Sequence, residues 1–215
     1  MEIIGLDLDD SAYDYIGFLN IYGKKYFDRE PFNSKADSIE GMFQCTQEES
    51  LSFWTDNNNE NYIRYYRYFP AKEGMKEVVD ELYNMGYMVR IITKRINCAN
   101  NDEIGEFSRK MVSARVLDDF KRNDMAENIF FEQLDNHKAD TCEKLKITKM
   151  IDDNLDTVLS LSEAGKYVIC FANERNLCCK EMENVFMITN PLEIPGIVKK
   201  IEQIQTASVK PPKNY

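Results

Sequence analysis

The sequence predicts an α/β fold: a three-layer sandwich on a central parallel sheet, with a small helical cap inserted after the first strand. Three observations predict it. Strand-like and helix-like segments alternate for most of the 215 residues, as right-handed crossovers between parallel strands require. Several of the strand-like segments close on an acid or a threonine. The stretch from Ala12 to Phe69 breaks the alternation, being rich in aromatic and polar residues, with helical periods and no convincing strand.

Taken in order, EIIGLDL reads as the first strand. The next segment with a clear period is EGMKEVVDELYNM, where Met75, Val78, Val79 and Leu82 share one helical face before Gly86 stops the helix. YMVRIIT then reads as a buried strand, and NIFFEQ as another candidate. KADTCEKLKI reads as a helix, TKMID as a strand, NLDTVLSLSEA as a helix stopped by Gly165, KYVICFA as a strand and NVFMIT as a further strand. Pro191 and Pro195 introduce a last helix carrying Ile197, Ile201 and Ile204. These segments divide the chain into a core of residues 1–11 and 70–205, a cap of residues 12–69 and a loose tail of residues 206–215.

Bulk properties exclude several classes. A formal net charge of −10 opposes binding to a nucleic-acid polymer, which needs clustered cations. The six cysteines are scattered without a CxxC pair, so neither a disulfide framework nor a zinc site is expected. No apolar run approaches the roughly 18 residues of a membrane span, and the N-terminus lacks the pattern of a signal peptide. The expectation is a cytoplasmic protein without a membrane partner; oligomeric state is not legible.

The strand ends carry the chemistry. Asp7 and Asp9 close the first strand, Thr93 closes YMVRIIT, Asp152 and Asp153 close TKMID, and Lys138 opens the helix before that strand. In a parallel sheet all of these reach one edge, and residues two apart point the same way, so Asp7 and Asp9 face one site while Leu8 packs away. Two carboxylates about 4 Å apart repel by about 4 kcal/mol at an effective dielectric of about 20. A hard divalent cation with oxygen ligands, Mg²⁺ above all, answers that repulsion and accepts phosphate oxygens. Lys138 adds a positive charge and the Thr93 hydroxyl a donor, which together suit a phosphoryl group.

These segments resemble the four motifs of the haloacid dehalogenase (HAD) superfamily of aspartate-nucleophile phosphatases: IIGLDLDDSA, VRIIT, Lys138 in NHKADTCEKL, and MIDDN. FPAKEGMKEVVDELYNMGYMVRIITKR resembles the approach to the second motif in 5'(3')-deoxyribonucleotidases and related bacterial nucleotidase-like proteins. Ser11 and Asp10 depart from the first motif, where Thr or Val and Gly are usual. The resemblance implies a HAD-like Rossmannoid core and hydrolysis of a small phosphomonoester, with a nucleoside monophosphate favoured. It implies Asp7 as nucleophile, Asp9 as general acid and base, Thr93 and Lys138 as phosphate-binding residues, and Asp7, Asp9 (through its carbonyl), Asp152 and Asp153 as the Mg²⁺ site. Which of Asp152 and Asp153 binds directly stays open. Sugar phosphatases, a non-catalytic phosphate-binding protein on the same fold and a response-regulator receiver are the rivals; the length and the insertion disfavour the last.

Other residues divide more evenly. Asp10 reads as a helix cap or an exposed residue, and His137, the single histidine, as a capping or surface group. Lys94 and Arg95 read equally as substrate contacts or as a solvated loop. Tyr62, Tyr65, Tyr66 and Phe69 fall on one helical face and read as the cap's own core. Phe53 and Trp54 are the candidate substrate-stacking pair, and Lys24, Lys25, Arg64 and Arg67 the cap's candidate anion contacts.

Overall fold

A computed structural model describes residues 1–208, apart from the side chains of Asn97 and Ser208. Six strands form one sheet: β1 (Glu2–Leu6), β2 (Tyr87–Lys94), β3 (Ile129–Glu132), β4 (Lys149–Asp152), β5 (Tyr167–Phe171) and β6 (Val185–Ile188). Every pairing is parallel, in the order β3-β2-β1-β4-β5-β6. The chain therefore winds outward from β1 in one direction, then returns to β1's other side through β4. That reversal makes the gap between the carboxyl ends of β1 and β4 the switch point, where open α/β sheets bind ligands.

Period-2 alternation divides the strands between two faces. Ile4, Leu6, Val89, Ile91, Ile151 and Ile169 join one apolar cluster, while Ile92, Met150, Val168 and Cys170 join another. The first face is covered by four helices: α4 (Met75–Asn84), α6 (Glu103–Phe120), α7 (Asn123–Ala126) and α10 (Ile194–Ser208). The second is covered by α8 (His137–Lys144) and α9 (Leu155–Glu163). A short α5 (Ile96–Ala99) follows β2. Gly86 and Gly165 end their helices at φ 91° and 70°, a left-handed conformation that a Cβ would strain. Helix α10 continues to Ser208, past the start of the expected tail at residue 206; residues 209–215 lie outside the described chain.

Helix α6 carries no reading from sequence, and its composition says why. Met111, Val112, Val116 and Phe120 are buried, yet Ile104, Phe107 and Leu117 on other faces are exposed, so no single apolar stripe stands out.

Between β1 and β2 the chain builds the cap from α1 (Tyr15–Phe27), α2 (Ile39–Phe43) and α3 (Gln47–Ile63). Phe18, Leu19, Ile39, Met42, Phe43, Phe53 and Tyr65 form its own apolar cluster. The TDNNNEN stretch interrupts α3: Asn57, Asn58 and Asn59 all take left-handed φ values of 53°, 60° and 63°. Asparagine tolerates this region better than most residues, which fits three of them occurring there. A π-helical turn, Arg64–Tyr68, follows directly. The chain enters and leaves the cap side by side, with Tyr13 bridged to Ala71 in antiparallel sense and Lys72 N–H donating to the Ala12 carbonyl at 2.9 Å.

Gly23 gives a test of cap packing. A Cβ at Gly23 would lie 2.3 Å from Phe43 Cε2 and 2.9 Å from Ile39 Cδ1. Replacing glycine by alanine inside a helix ordinarily stabilises by about 0.5–1 kcal/mol. Here overpacking, typically about 1–3 kcal/mol, opposes it and wins. Gly23→Ala is expected to lower the urea midpoint by an amount equivalent to about 1 kcal/mol, and a raised midpoint would show the contact to be soft.

Candidate active site

The site grows from the ends of β1, β2 and β4. Strand β1 ends at Leu6, two residues earlier than the sequence suggests, yet the Asp7 N–H still donates to the Ile151 carbonyl at 2.9 Å. Asp7 is therefore locked into the sheet although it lies outside the strand. Leu8 is buried in the core while Asp7 and Asp9 both face one cavity, as the strand geometry predicts. Asp152 is the last residue of β4, and its Oδ1 accepts the N–H groups of Asp153 and Asn154, each at 2.9 Å. Asn154 then caps α9 by accepting from Thr157 N–H at 3.1 Å, turning the chain away from the sheet at once.

Lys138, at the start of α8, reaches into the switch point. Its Nζ donates to Asp7 Oδ1 and to Asp152 Oδ2, both at 2.8 Å, and its side chain is 2 % exposed. One oxygen each from Asp7, Asp152 and Asp153 lie within 4.8 Å of one another. Asp153 is held by its neighbours: Ser11 Oγ donates to Oδ1 at 3.5 Å, and the Asn176 amide donates to its carbonyl at 2.8 Å. Beside them the Thr93 hydroxyl is buried and, among the described residues, has no hydrogen-bond partner. A buried donor left unpaired costs about 1–3 kcal/mol, so its presence on a cavity wall marks a place for an acceptor.

The titration behaviour follows from burial. Burial, the largest cause, pushes Asp7 up to about 7; Lys138 opposes it, while Asp152 and Asp9 add to it. Burial also raises Asp153 well above the ordinary carboxylate range, reinforced by the charges of Asp152, Asp7 and Asp10. Burial alone would lower Lys138, but Asp152 and Asp7 outweigh it and hold the ammonium charged. Three carboxylates thus share one cation, and the site is short of positive charge. A hard divalent ion suits that deficit and the all-oxygen donor set.

The other site candidates are placed as follows. The Asp9 carboxylate stands apart from the acidic trio and accepts from Tyr65 OH and Arg95 Nη2. Arg95 is 4 % exposed, not in a solvated loop. Lys94 lines the cavity and pairs with Asp135 at 2.6 Å. Asp10 accepts from Ile16 N–H at 2.9 Å beside the N-terminus of α1, whose cap is Asp14. His137 starts α8 and is half-buried. Trp54 lines the cavity, but Phe53 does not: it is fully buried in the cap cluster against Tyr26 and Phe27. Lys24 pairs with Glu30, Arg64 with Glu60 and Arg67 with Asp118, and Lys25 lines a separate 240 Å³ hollow with Arg64.

The cavity itself measures about 860 Å³. Its outer wall is apolar in a way the sequence does not disclose. Leu51, Ile96, Ile104 and Phe107 line it while remaining 62, 57, 65 and 50 % exposed. Tyr15, Tyr62 and Tyr66 also face it, so the aromatic stripe read as pure cap core is divided: Tyr65 is core, Tyr62 and Tyr66 line the cavity. Contiguous exposed apolar surface at a cleft mouth marks a contact site.

No protein family pattern and no curated protein matches this chain. Solved structures do. A haloacid dehalogenase-like family hydrolase from Xanthomonas campestris aligns with TM-score 0.60 at 12 % identity, covering 97 % of this chain and 94 % of that one. A predicted phosphoglycolate phosphatase from Haemophilus somnus aligns with TM-score 0.58 at 13 % identity, covering 92 % and 98 %. CbbY from Rhodobacter sphaeroides, in complex with xylulose-(1,5)-bisphosphate, aligns with TM-score 0.57 at 10 % identity, covering 90 % and 96 %. The chain therefore has the HAD-like α/β fold. No helix among the described residues is long and apolar enough to cross a membrane.

The raised Asp7 carboxyl predicts a pH-dependent stability. Folded Asp7 holds its proton more tightly than the unfolded group, so its contribution is present below the ordinary value of 3.8 and is lost as pH rises toward about 7. Without divalent ions, the wild-type Tm is expected to fall relative to that of Asp7→Asn between about pH 4 and 7. Millimolar Mg²⁺ should raise the wild-type Tm more at about pH 8 than at about pH 5, because ligands must be deprotonated to bind. Thermal melts that run parallel for both proteins and ignore Mg²⁺ would remove the argument for a metal site.

Proposed function

We propose that this protein is a Mg²⁺-dependent phosphomonoester hydrolase that uses Asp7 as nucleophile. The observation that carries the proposal is the buried Lys138 ammonium joining Asp7 to Asp152 beside Asp153 at the switch point of the sheet. Three buried acids beside a single ammonium leave negative charge that the chain itself does not offset and that a bound divalent cation would.

Asp7, Asp152 and Asp153, with the Asp9 carbonyl, are the residues that would hold Mg²⁺. Bound there, the ion supplies positive charge against the carboxylates and the phosphoryl oxygens. The remaining work belongs to the chain. Asp7 forms a bond to phosphorus as the bond to the ester oxygen breaks; that oxygen leaves with the electron pair and takes a proton from Asp9. Water then adds to phosphorus, returns a proton to Asp9, and Asp7 departs as carboxylate. Lys138 and Thr93 bind the phosphoryl oxygens and offset charge that builds on them.

For the substrate we infer a nucleoside monophosphate. The 860 Å³ cavity with Trp54, Tyr62 and Tyr66 on its wall supports a flat, partly apolar body attached to the phosphate. A sugar phosphate is the second reading, favoured by the bisphosphate bound in the CbbY structure. A panel of nucleotides and sugar phosphates, with and without Mg²⁺, separates them; equal kcat/KM for both groups would remove the preference. Asp7→Asn is expected to lower kcat at least about 10⁴-fold with an unchanged circular dichroism spectrum. A variant keeping a tenth of the activity would rule out Asp7 as nucleophile, and wild type inactive on the whole panel would favour a phosphate-binding protein.

A further inference from the structure

We propose that Arg95 and Tyr65 position Asp9, holding one carboxylate oxygen and leaving the other free to carry the proton. The inference rests on the reading of Asp9 as general acid and base. Tyr65 OH and Arg95 Nη2 both donate to Asp9 Oδ1, whereas Oδ2 accepts no hydrogen bond among the described residues. A carboxylate held this way cannot rotate its two oxygens into each other's places without breaking its part-buried ion pair with Arg95.

The two anchors come from different parts of the molecule. Arg95 follows Thr93 by two residues at the end of β2, and its backbone N–H donates to the Glu132 carbonyl at 3.0 Å. Its side chain is 1 % exposed, with the guanidinium 4.6 Å from the ring centre of Tyr66 and 5.5 Å from that of Tyr65. Tyr65 belongs to the cap, is fully buried in its cluster, and is backed by the Arg115 guanidinium at 4.9 Å from its ring centre. The π-helical turn makes this possible. Its wider winding, with i→i+5 hydrogen bonds, turns consecutive residues through a smaller angle than an α-helix does, so Tyr65 and Tyr66 both meet one guanidinium. Such turns occur frequently at functional sites. Asp9 is thus tied to the core through Arg95 and to the cap through Tyr65, and its aim depends on the cap being seated.

A leaving-group comparison tests the assignment in the full chain with Mg²⁺. Benzyl phosphate releases an alkoxide that needs a proton, and 2,4-dinitrophenyl phosphate releases a phenolate that does not. kcat/KM reports only the steps up to departure of that group. Tyr65→Phe, which removes one hydroxyl, and Arg95→Gln are each expected to lower kcat/KM for benzyl phosphate about tenfold, while changing that for the dinitrophenyl ester less than about threefold. Asp9→Asn should show the same selectivity with a loss of about 10²–10⁴ on benzyl phosphate, and adding Tyr65→Phe to it should cost nothing more. Equal losses on both esters, or additive losses in the Asp9→Asn background, would overturn the inference and leave the proposed function standing. Folded wild type inactive on both esters and on the nucleotide and sugar-phosphate panel would overturn the two together. Should Arg95→Gln fail to fold, Tyr65→Phe decides the matter alone.

Discussion

The placement of one ammonium group governs the upper edge of this molecule. Lys138 Nζ sits between Asp7 and Asp152, at the ends of the two strands where the sheet reverses direction, and all three side chains are withdrawn from water. Without that cation β1 and β4 would bring buried carboxylates together with nothing to offset them, at a cost of several kcal/mol. Its position in turn fixes the start of α8, and through α8 the crossover from β3 to β4. The parallel sheet creates the crowding at its carboxyl edge, and the crossover delivers the counter-charge.

Above that edge the cap adds a different kind of surface. The acids and Lys138 form a compact polar floor, whereas Leu51, Trp54, Ile104 and Phe107 wall the space above it. Two of these come from the cap and two from α6, so the cavity belongs to neither part alone. Helix α6 consequently serves two environments, the core on one side and the cleft on the other. The exposed isoleucine and phenylalanine that make it useful to the cleft would be anomalous on an ordinary surface helix.

This double duty explains what could be read from the sequence and what could not. The strands, α4, α8, α9 and the convergence of Asp7, Thr93, Lys138 and Asp152 follow from local periodicity and from the topology that periodicity implies. Each periodicity is local to one segment, and the parallel order of the strands then brings the segment ends together. Helix α6 offered no such signal, because its apolar residues face both ways. Phe53 and Trp54 are neighbours in sequence, yet one is packed in the cap cluster and the other faces the cleft; adjacency carries no information about which. Arg95 reads equally as a substrate contact or a loop cation in the sequence, because its partners, Asp9 and the tyrosine pair, are 86, 30 and 29 positions away. Tyr65 and Tyr66 read alike on a regular helical period, yet Tyr65 packs in the cap cluster while Tyr66 lines the cleft.

The antiparallel bridge between Tyr13 and Ala71 has a consequence for how such a protein can diversify. Because the chain departs from and rejoins the sheet at adjacent points, everything between them behaves as an appendage spliced into a closed joint. Such a segment can be lengthened, shortened or exchanged at modest entropic cost, since the ends to be joined are already together. A sheet of this kind can therefore keep its acidic rim while the appendage that overhangs it changes in length and sequence.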